Sequence, residues 1–294
     1  MLHVALVIVT SSAPGEGKTG VAAAIARHYA YQGKATQLVR LSGSDDESAA
    51  EDAAFFGSLA FVPGSPSAVS GASDVRDPGG DAVTVVEANL QTAAALSGAV
   101  VLVARGAVPS AIPAGIAAKV VVVTGVPASE AGAATSMNGV PVIILAEDRS
   151  LAGFSVDEAC KAIDAEVLVQ GDGNRATCDY LVVAPIGADA GQPYFKRFQT
   201  KAVVVRFDKT DQHLAAVRAA PECLILTGGK RPSGYVFDAA AANGIPVLLS
   251  RTDTENTVAA LEGIFDHTRF QGERKLDRMA LLVEASPLFG ALGI

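Results

Sequence analysis

The chain has no tryptophan, three cysteines and four histidines, and its 23 lysines and arginines are outnumbered by 31 acidic residues. Each shortage excludes something. Cys160, Cys178 and Cys223 are scattered and odd in number, so neither a disulfide framework nor a zinc site is expected; they read as reduced thiols of a cytoplasmic protein. His3, His28, His213 and His267 stand at no metal-ligand spacing, and no Ser/His/Asp or Cys/His arrangement suits nucleophilic catalysis. With a net charge of −8 and no basic stripe, nucleic acid is not an expected partner. No apolar stretch reaches the roughly 18 uncharged residues of a membrane span. Residues 1–10 lack the basic start of a signal peptide.

What is present is apolar and periodic. Half of the 294 residues are hydrophobic, and the length suits two domains or one large one. Short Val- and Ile-rich runs alternate with Ala-rich segments of helical period: 34–41, 82–89, 99–105, 118–126 and 140–147 read as strands, with Phe55 and Phe56 buried in a helix at 49–61. This predicts α/β architecture: a parallel sheet with helices on both faces. Residues 63–80 form the longest loop, and 44–48 are an acidic one. A boundary falls near 148–156, where Ser155 and Glu158 spell a capping box. Strand-turn-helix then repeats three times, giving a second compact α/β domain. The expected domains are 1–150 and 151–267, with 268–294 a tail packing on a domain or on a partner.

The motif richest in chemistry opens the chain. Val4 to Val9 is an unbroken apolar run, followed by Ser12-Ala13-Pro14-Gly15-Glu16-Gly17-Lys18-Thr19-Gly20 and then an Ala-rich helix. This is GxxxxGK[ST] between a buried strand and a helix, with Ser12 in place of the first glycine. Gly15 and Gly17 let the backbone turn its N–H groups towards an anion, and the helix start adds partial positive charge. Lys18 would reach the β/γ-phosphates and the Thr19 hydroxyl would ligate Mg²⁺. The cofactors implied are ATP, or GTP, with Mg²⁺.

TSSAPGEGKTGVAAAIA, then LVRL, EDA (51–53) and VTVVEAN, resemble the P-loop domain of the dethiobiotin synthetase family, and still more the related N-terminal domain of some phosphate acetyltransferases. Residues 206–262, with Asp208-Lys209-Thr210-Asp211, the LTGG turn, Pro232 and Asp253-Thr254-x-x-Thr257, resemble a DRTGG domain. The resemblance implies Asp52 and Glu87 as Mg²⁺-binding carboxylates. Arg40 stands where the synthetases use a substrate-handling lysine. The DRTGG resemblance implies Asp208 and Asp211 as ligand or partner contacts; Thr227-Gly228-Gly229, closing a buried strand ahead of a helix near Ser233, read as a second anion site or as an ordinary βα turn, with Asp253 and Thr254 as further candidate ligand contacts. On the residues alone, Asp253 or Thr254 serves equally as a helix cap.

DRTGG domains act in relatives as regulatory or dimerising modules, some sensing adenine nucleotides. The reading is therefore a nucleotide-binding regulatory or sensor protein, a homodimer through its DRTGG-like domain, with an acetyltransferase or other metabolic enzyme as a possible partner. No acetyltransferase active site is expected in these 294 residues. Two alternatives stand: an ATP-dependent carboxylate-activating ligase of the dethiobiotin or cobyrinate type, and a non-catalytic partner subunit of a phosphate acetyltransferase. Base specificity is open, since VVVVTGVPAS offers only Thr124 and Ser129 where a base-reading asparagine is usual.

Overall fold

The structure is a computed structural model that describes residues 6–42, 48–75, 80–130, 135–172, 177–184 and 192–293. Most of the acidic loop at 44–48 lies outside the described residues. The chain divides into two compact units, one of 1–148 with 270–294 and one of 149–269. Both are α/β. No helix among the described residues is long and apolar enough to cross a membrane.

In the first unit the elements run β1 (Leu6–Ser11), α1 (Lys18–Tyr31), β2 (Thr36–Arg40), α2 (Ala49–Ser58), β3 (Val83–Glu87), α3 (Leu90–Ala94), β4 (Ala99–Arg105), β5 (Ala118–Val126), β6 (Thr135–Met137) and β7 (Val140–Ala146). They form a seven-stranded sheet in the order β2-β3-β1-β4-β5-β7-β6. All neighbours are parallel except β6, which pairs antiparallel with β7. A two-residue turn, Asn138-Gly139, with φ of 52° and 82°, joins that pair, as hairpin twist favours. The Val-rich strands are buried on both faces, as a covered parallel sheet requires.

Two features depart from simple alternation. After β4, residues 106–117 cross to β5 without a helix. The 63–80 loop is also tied down along edge strand β2. Leu38 N–H donates to Ser65 Oγ at 2.9 Å, and Ser70 N–H donates to Arg40 O at 2.9 Å. Hydroxyl and backbone groups of the loop thus satisfy an edge that would otherwise stand open.

The second unit continues with α4 (Arg149–Ala152), α5 (Val156–Ala162), β8 (Glu166–Val169), β9 (Tyr180–Val183), α6 (Gln192–Phe195), β10 (Lys201–Arg206), α7 (Thr210–Arg218), β11 (Cys223–Thr227), α8 (Gly234–Ala242), β12 (Val247–Leu249) and α9 (Thr254–Glu262). Its five-stranded sheet has the order β8-β12-β11-β10-β9. Only β8 is antiparallel to its neighbour. One apolar layer, around Leu224, Val203 and Val236, lies on the α7–α8 face. The other, around Phe154, Ile225 and Leu261, lies on the α5–α9 face. Ser155 starts α5 with both bonds of a capping box to Glu158.

The chain then returns to the first unit as α10 (Glu273–Glu284) and α11 (Leu288–Leu292). α10 buries Lys275, Leu276, Met279, Ala280 and Val283, a stripe at helical spacing. It packs on α1, and α11 packs on β5. These helices extend the cover that α1 gives its face of the sheet towards β5 and β7. α1 is Ala-rich because it is covered from two sides: Gly20 through Ala26 are all buried. At Gly20 a Cβ would meet Phe270 at 2.9 Å and Met279 at 3.1 Å, so a larger residue there would displace those side chains of the returning segment.

Candidate functional site

The first unit gathers its chemistry where β1, β2 and β3 end. Register does the gathering. Val9 pairs with Glu87, and Arg40 pairs with Glu87. The β1–α1 turn therefore opens beside the last residues of β2 and β3, at the carboxyl edge where parallel sheets hold ligands.

In that turn Ser12, Ala13, Pro14 and Gly15 are exposed, while Glu16, Gly17, Lys18 and Thr19 are half-buried. Gly15 and Gly17 have φ of 77° and 97°, a region where a side chain is strained. No side chain caps α1, so its first N–H groups keep no acceptor within the helix. The Ala13 N–H is taken by the Glu16 carboxylate at 3.1 Å. Thr124, at the end of β5, supports the turn from below: its hydroxyl donates to Glu16 O at 2.8 Å. A Cβ at Gly17 would meet that same hydroxyl at 3.2 Å. The bracing of the turn by Thr124 depends on a contact 108 residues away in the chain, which no local pattern carries.

Four charged groups surround the mouth of the turn. Glu87 and Arg40 are each 1% exposed. Thr19 Oγ1 donates to Glu87 Oε1 at 3.1 Å, while Glu87 Oε2 is buried with no hydrogen-bond partner. Arg40 Nε lies 3.7 Å from Asp52 and 3.8 Å from Glu87, and Arg40 Nη1 donates to Leu41 O at 2.8 Å. Asp52 is half-buried on α2 and accepts from Ser48 Oγ at 3.1 Å. Burial pushes the Glu87 carboxyl up to about 7, against the pull of the Arg40 guanidinium. It also raises Asp52 and lowers Lys18, the latter opposed by Glu87. Buried charge of this kind is costly without a compensating partner. Lys18, Thr19, Asp52 and Glu87 are thus brought together. Arg40 is a buried bridge between the two carboxylates, not an exposed substrate contact.

Mg²⁺ fits this donor set. Among the described residues no group of three or more His, Cys, Asp or Glu side chains could hold a metal. Mg²⁺, however, needs only one or two protein oxygens beside phosphate and water. The Thr19 hydroxyl and the partnerless Glu87 oxygen are of that kind.

In the second unit the corresponding edge is more closed. Gly228 and Gly229 have φ of 92° and 69°, but their N–H groups already donate to Thr252 O and Ser250 O at 2.8 and 3.0 Å. The turn therefore joins β11 to the residues after β12, and these two amides are not free for an anion. Thr227 and Thr254 share a hydroxyl bond of 2.7 Å. Asp253 caps α9, accepting from Asn256 N–H at 2.8 Å. Asp208 pairs with Arg206 on the surface, and Asp211 is exposed in the first turn of α7. Ser250, Thr252 and Thr257 complete a hydroxyl network with spacings of 2.8–2.9 Å. On α7, His213 is buried and donates from Nε2 to Arg206 O at 2.9 Å.

Residues 158–264 match the DRTGG domain. The match lies wholly within the second unit and takes in β8 to α9. A solved structure of the CBS and DRTGG domains of the regulatory region of Clostridium perfringens pyrophosphatase, complexed with the activator diadenosine tetraphosphate, is similar at 19% identity and a TM-score of 0.33. The likeness covers 42% of this chain and 53% of that one, so the chain spans about half the length of that relative.

Proposed function

We propose that this chain is a nucleotide-binding regulatory protein. In this reading the first unit takes the triphosphate of ATP or GTP with Mg²⁺ at the turn from Ser12 to Gly20. The DRTGG domain, consistent with a regulatory role, senses or transmits and holds a homodimer together. One observation carries the reading: a fully buried carboxylate, Glu87, keeps one oxygen without a partner at the mouth of an uncapped helix, beside a half-buried lysine. A protein fold does not bury charge this way for stability alone.

Each side chain has a separable task. Lys18 supplies the positive charge for phosphate oxygens, and burial holds it where its field is less screened. Thr19 and Glu87 hold Mg²⁺, which neutralises phosphate charge when bound. Arg40 keeps the two carboxylates from repelling each other. Its burial is why the reading is binding and regulation rather than a ligase that would contact substrate through Arg40. A link to a phosphate acetyltransferase, as partner, belongs to the same proposal and rests on the resemblance of 1–90 alone.

The test is a titration with fluorescent ATP and GTP, with and without Mg²⁺, on the full chain and on Lys18→Ala. Saturable binding by the wild type, lost in the variant, is the expected result. A wild type that binds neither nucleotide overturns the proposal and leaves a scaffold of two α/β units. Light scattering of the full chain against residues 149–269 checks the dimer: both should be dimeric.

A further inference from the structure

The turn between β1 and α1 is tied across its middle by contacts that meet at two residues, Ala13 and Glu16. The Ala13 carbonyl accepts from Ser11 Oγ at 2.7 Å, and the Ala13 N–H donates to Glu16 Oε2 at 3.1 Å. The Glu16 carbonyl accepts from Thr124 Oγ1 at 2.8 Å. That hydroxyl also lies 3.3 Å from Ala104 O, so it links the turn to the end of β4. Glu16 stands between Gly15 and Gly17, with φ of 77° and 97°. Glycines on either side give this backbone much freedom to lose when it orders.

The GxxxxGK[ST] pattern leaves position 16 unspecified, and the nucleotide reading gives Glu16 no task. Its charge works against that reading. Glu16 is one of the carboxylates whose field favours the charged form of Lys18, acting less strongly than Glu87 or Asp52. A carboxylate so placed partly offsets the attraction that Lys18 exerts on an anion. What it holds, rather than its charge, accounts for its place in the turn.

We infer that Glu16 is a positioning residue for the phosphate-bearing ligand: its carboxylate ties the Ala13 peptide and, with Thr124 on its carbonyl, sets the shape of the turn ahead of binding. The inference rests on the nucleotide reading of the same turn. A turn already ordered has less freedom to lose when the anion arrives, so the tether tightens binding. The charge of the same carboxylate weakens it. Two substitutions separate the effects. Glutamine keeps an oxygen acceptor for the Ala13 N–H but carries no charge, and alanine removes both.

The test is a titration of the full chain with fluorescent ATP and GTP, with and without Mg²⁺, for the wild type, Glu16→Gln and Glu16→Ala. Glu16→Gln should bind about fivefold more tightly than Glu16→Ala, the effect of one hydrogen bond that pre-orders the turn. Without Mg²⁺, Glu16→Gln should also bind about threefold more tightly than the wild type, because the nucleotide then meets the turn with its full negative charge. A purely structural role would not produce that second difference. All three proteins should melt alike. A readout free of nucleotide completes the set: amide hydrogen exchange at Ala13 should speed up in Glu16→Ala and stay as in the wild type in Glu16→Gln. Equal affinities of the two variants, or unchanged Ala13 exchange in Glu16→Ala, would overturn the inference while wild-type binding upholds the nucleotide reading. A wild type that binds neither nucleotide would overturn both.

Discussion

At the scale of single residues, Glu87 and Thr124 show what the site demands of the fold. The Glu87 carboxyl sits near 7 in the folded chain because burial disfavours its charge, against an ordinary value of 4.5 when unfolded. Below 4.5 both states hold the proton. Between 4.5 and 7 the unfolded chain releases a proton that the folded chain keeps, so this group lowers stability as pH rises, with the full penalty above 7. Glu87→Gln removes that titration. Urea midpoints measured across this interval should fall less for the variant, by a difference on the order of 1–3 kcal/mol in unfolding free energy; parallel profiles would refute the assignment. Thr124→Val deletes the donor to Glu16 O and should cost about 1 kcal/mol. Hydrogen exchange of the amides from Gly15 to Thr19 should speed up, while exchange in the second unit stays the same. Gly15 and Gly17 were legible as turn residues, because a positive φ is a local requirement. The bracing by Thr124, and the burial of Arg40 between two carboxylates, were not, because both arise from strand order.

At the scale of elements, the sequence marks beginnings better than neighbours. Ser155 and Glu158 declare the start of α5, and Asp253 that of α9, through bonds within three residues. Ser155→Ala should destabilise the second unit by about 1 kcal/mol, read as a shift in its urea transition. The strands at 99–105 and 118–126 were legible from their Val-rich runs, since a strand covered on both faces has few other compositions. The turn at Thr227 misleads for a clear reason. A glycine pair after a strand spells an anion nest equally well as a backbone closure, and only the position of Ser250 and Thr252 decides. Phe55 misleads likewise: the sequence reads it as buried beside Phe56, but only Phe56 reaches the core, while Phe55 lines a groove. α10 is amphipathic in a way that announces burial but not its target. Leu276→Ala on its buried stripe should cost about 2–5 kcal/mol, seen as a lower melting temperature of the first unit.

At the scale of the whole molecule, the first unit is interrupted: residues 149–269 are spliced between β7 and the helices that finish it. The sequence marks a change near 148 and a tail from 268 but not where the tail packs, because a segment that packs on α1 and one that packs on a neighbour bury the same apolar stripe. The interruption predicts unequal independence. Residues 149–269 alone should unfold in one cooperative urea transition, whereas 1–148 alone should lack one, since α1 would lose the cover of Phe270, Leu276 and Met279. A cooperative transition in 1–148 would show that the returning helices add little. The interruption also orders events on the ribosome. The sheet of the first unit must wait, incomplete, while the second unit is made and folds ahead of it. The turn from Ser12 to Gly20 therefore gains the full cover of α1 only after α10 and α11 emerge. Protein arrested between the two would carry a finished second unit beside an unfinished first one.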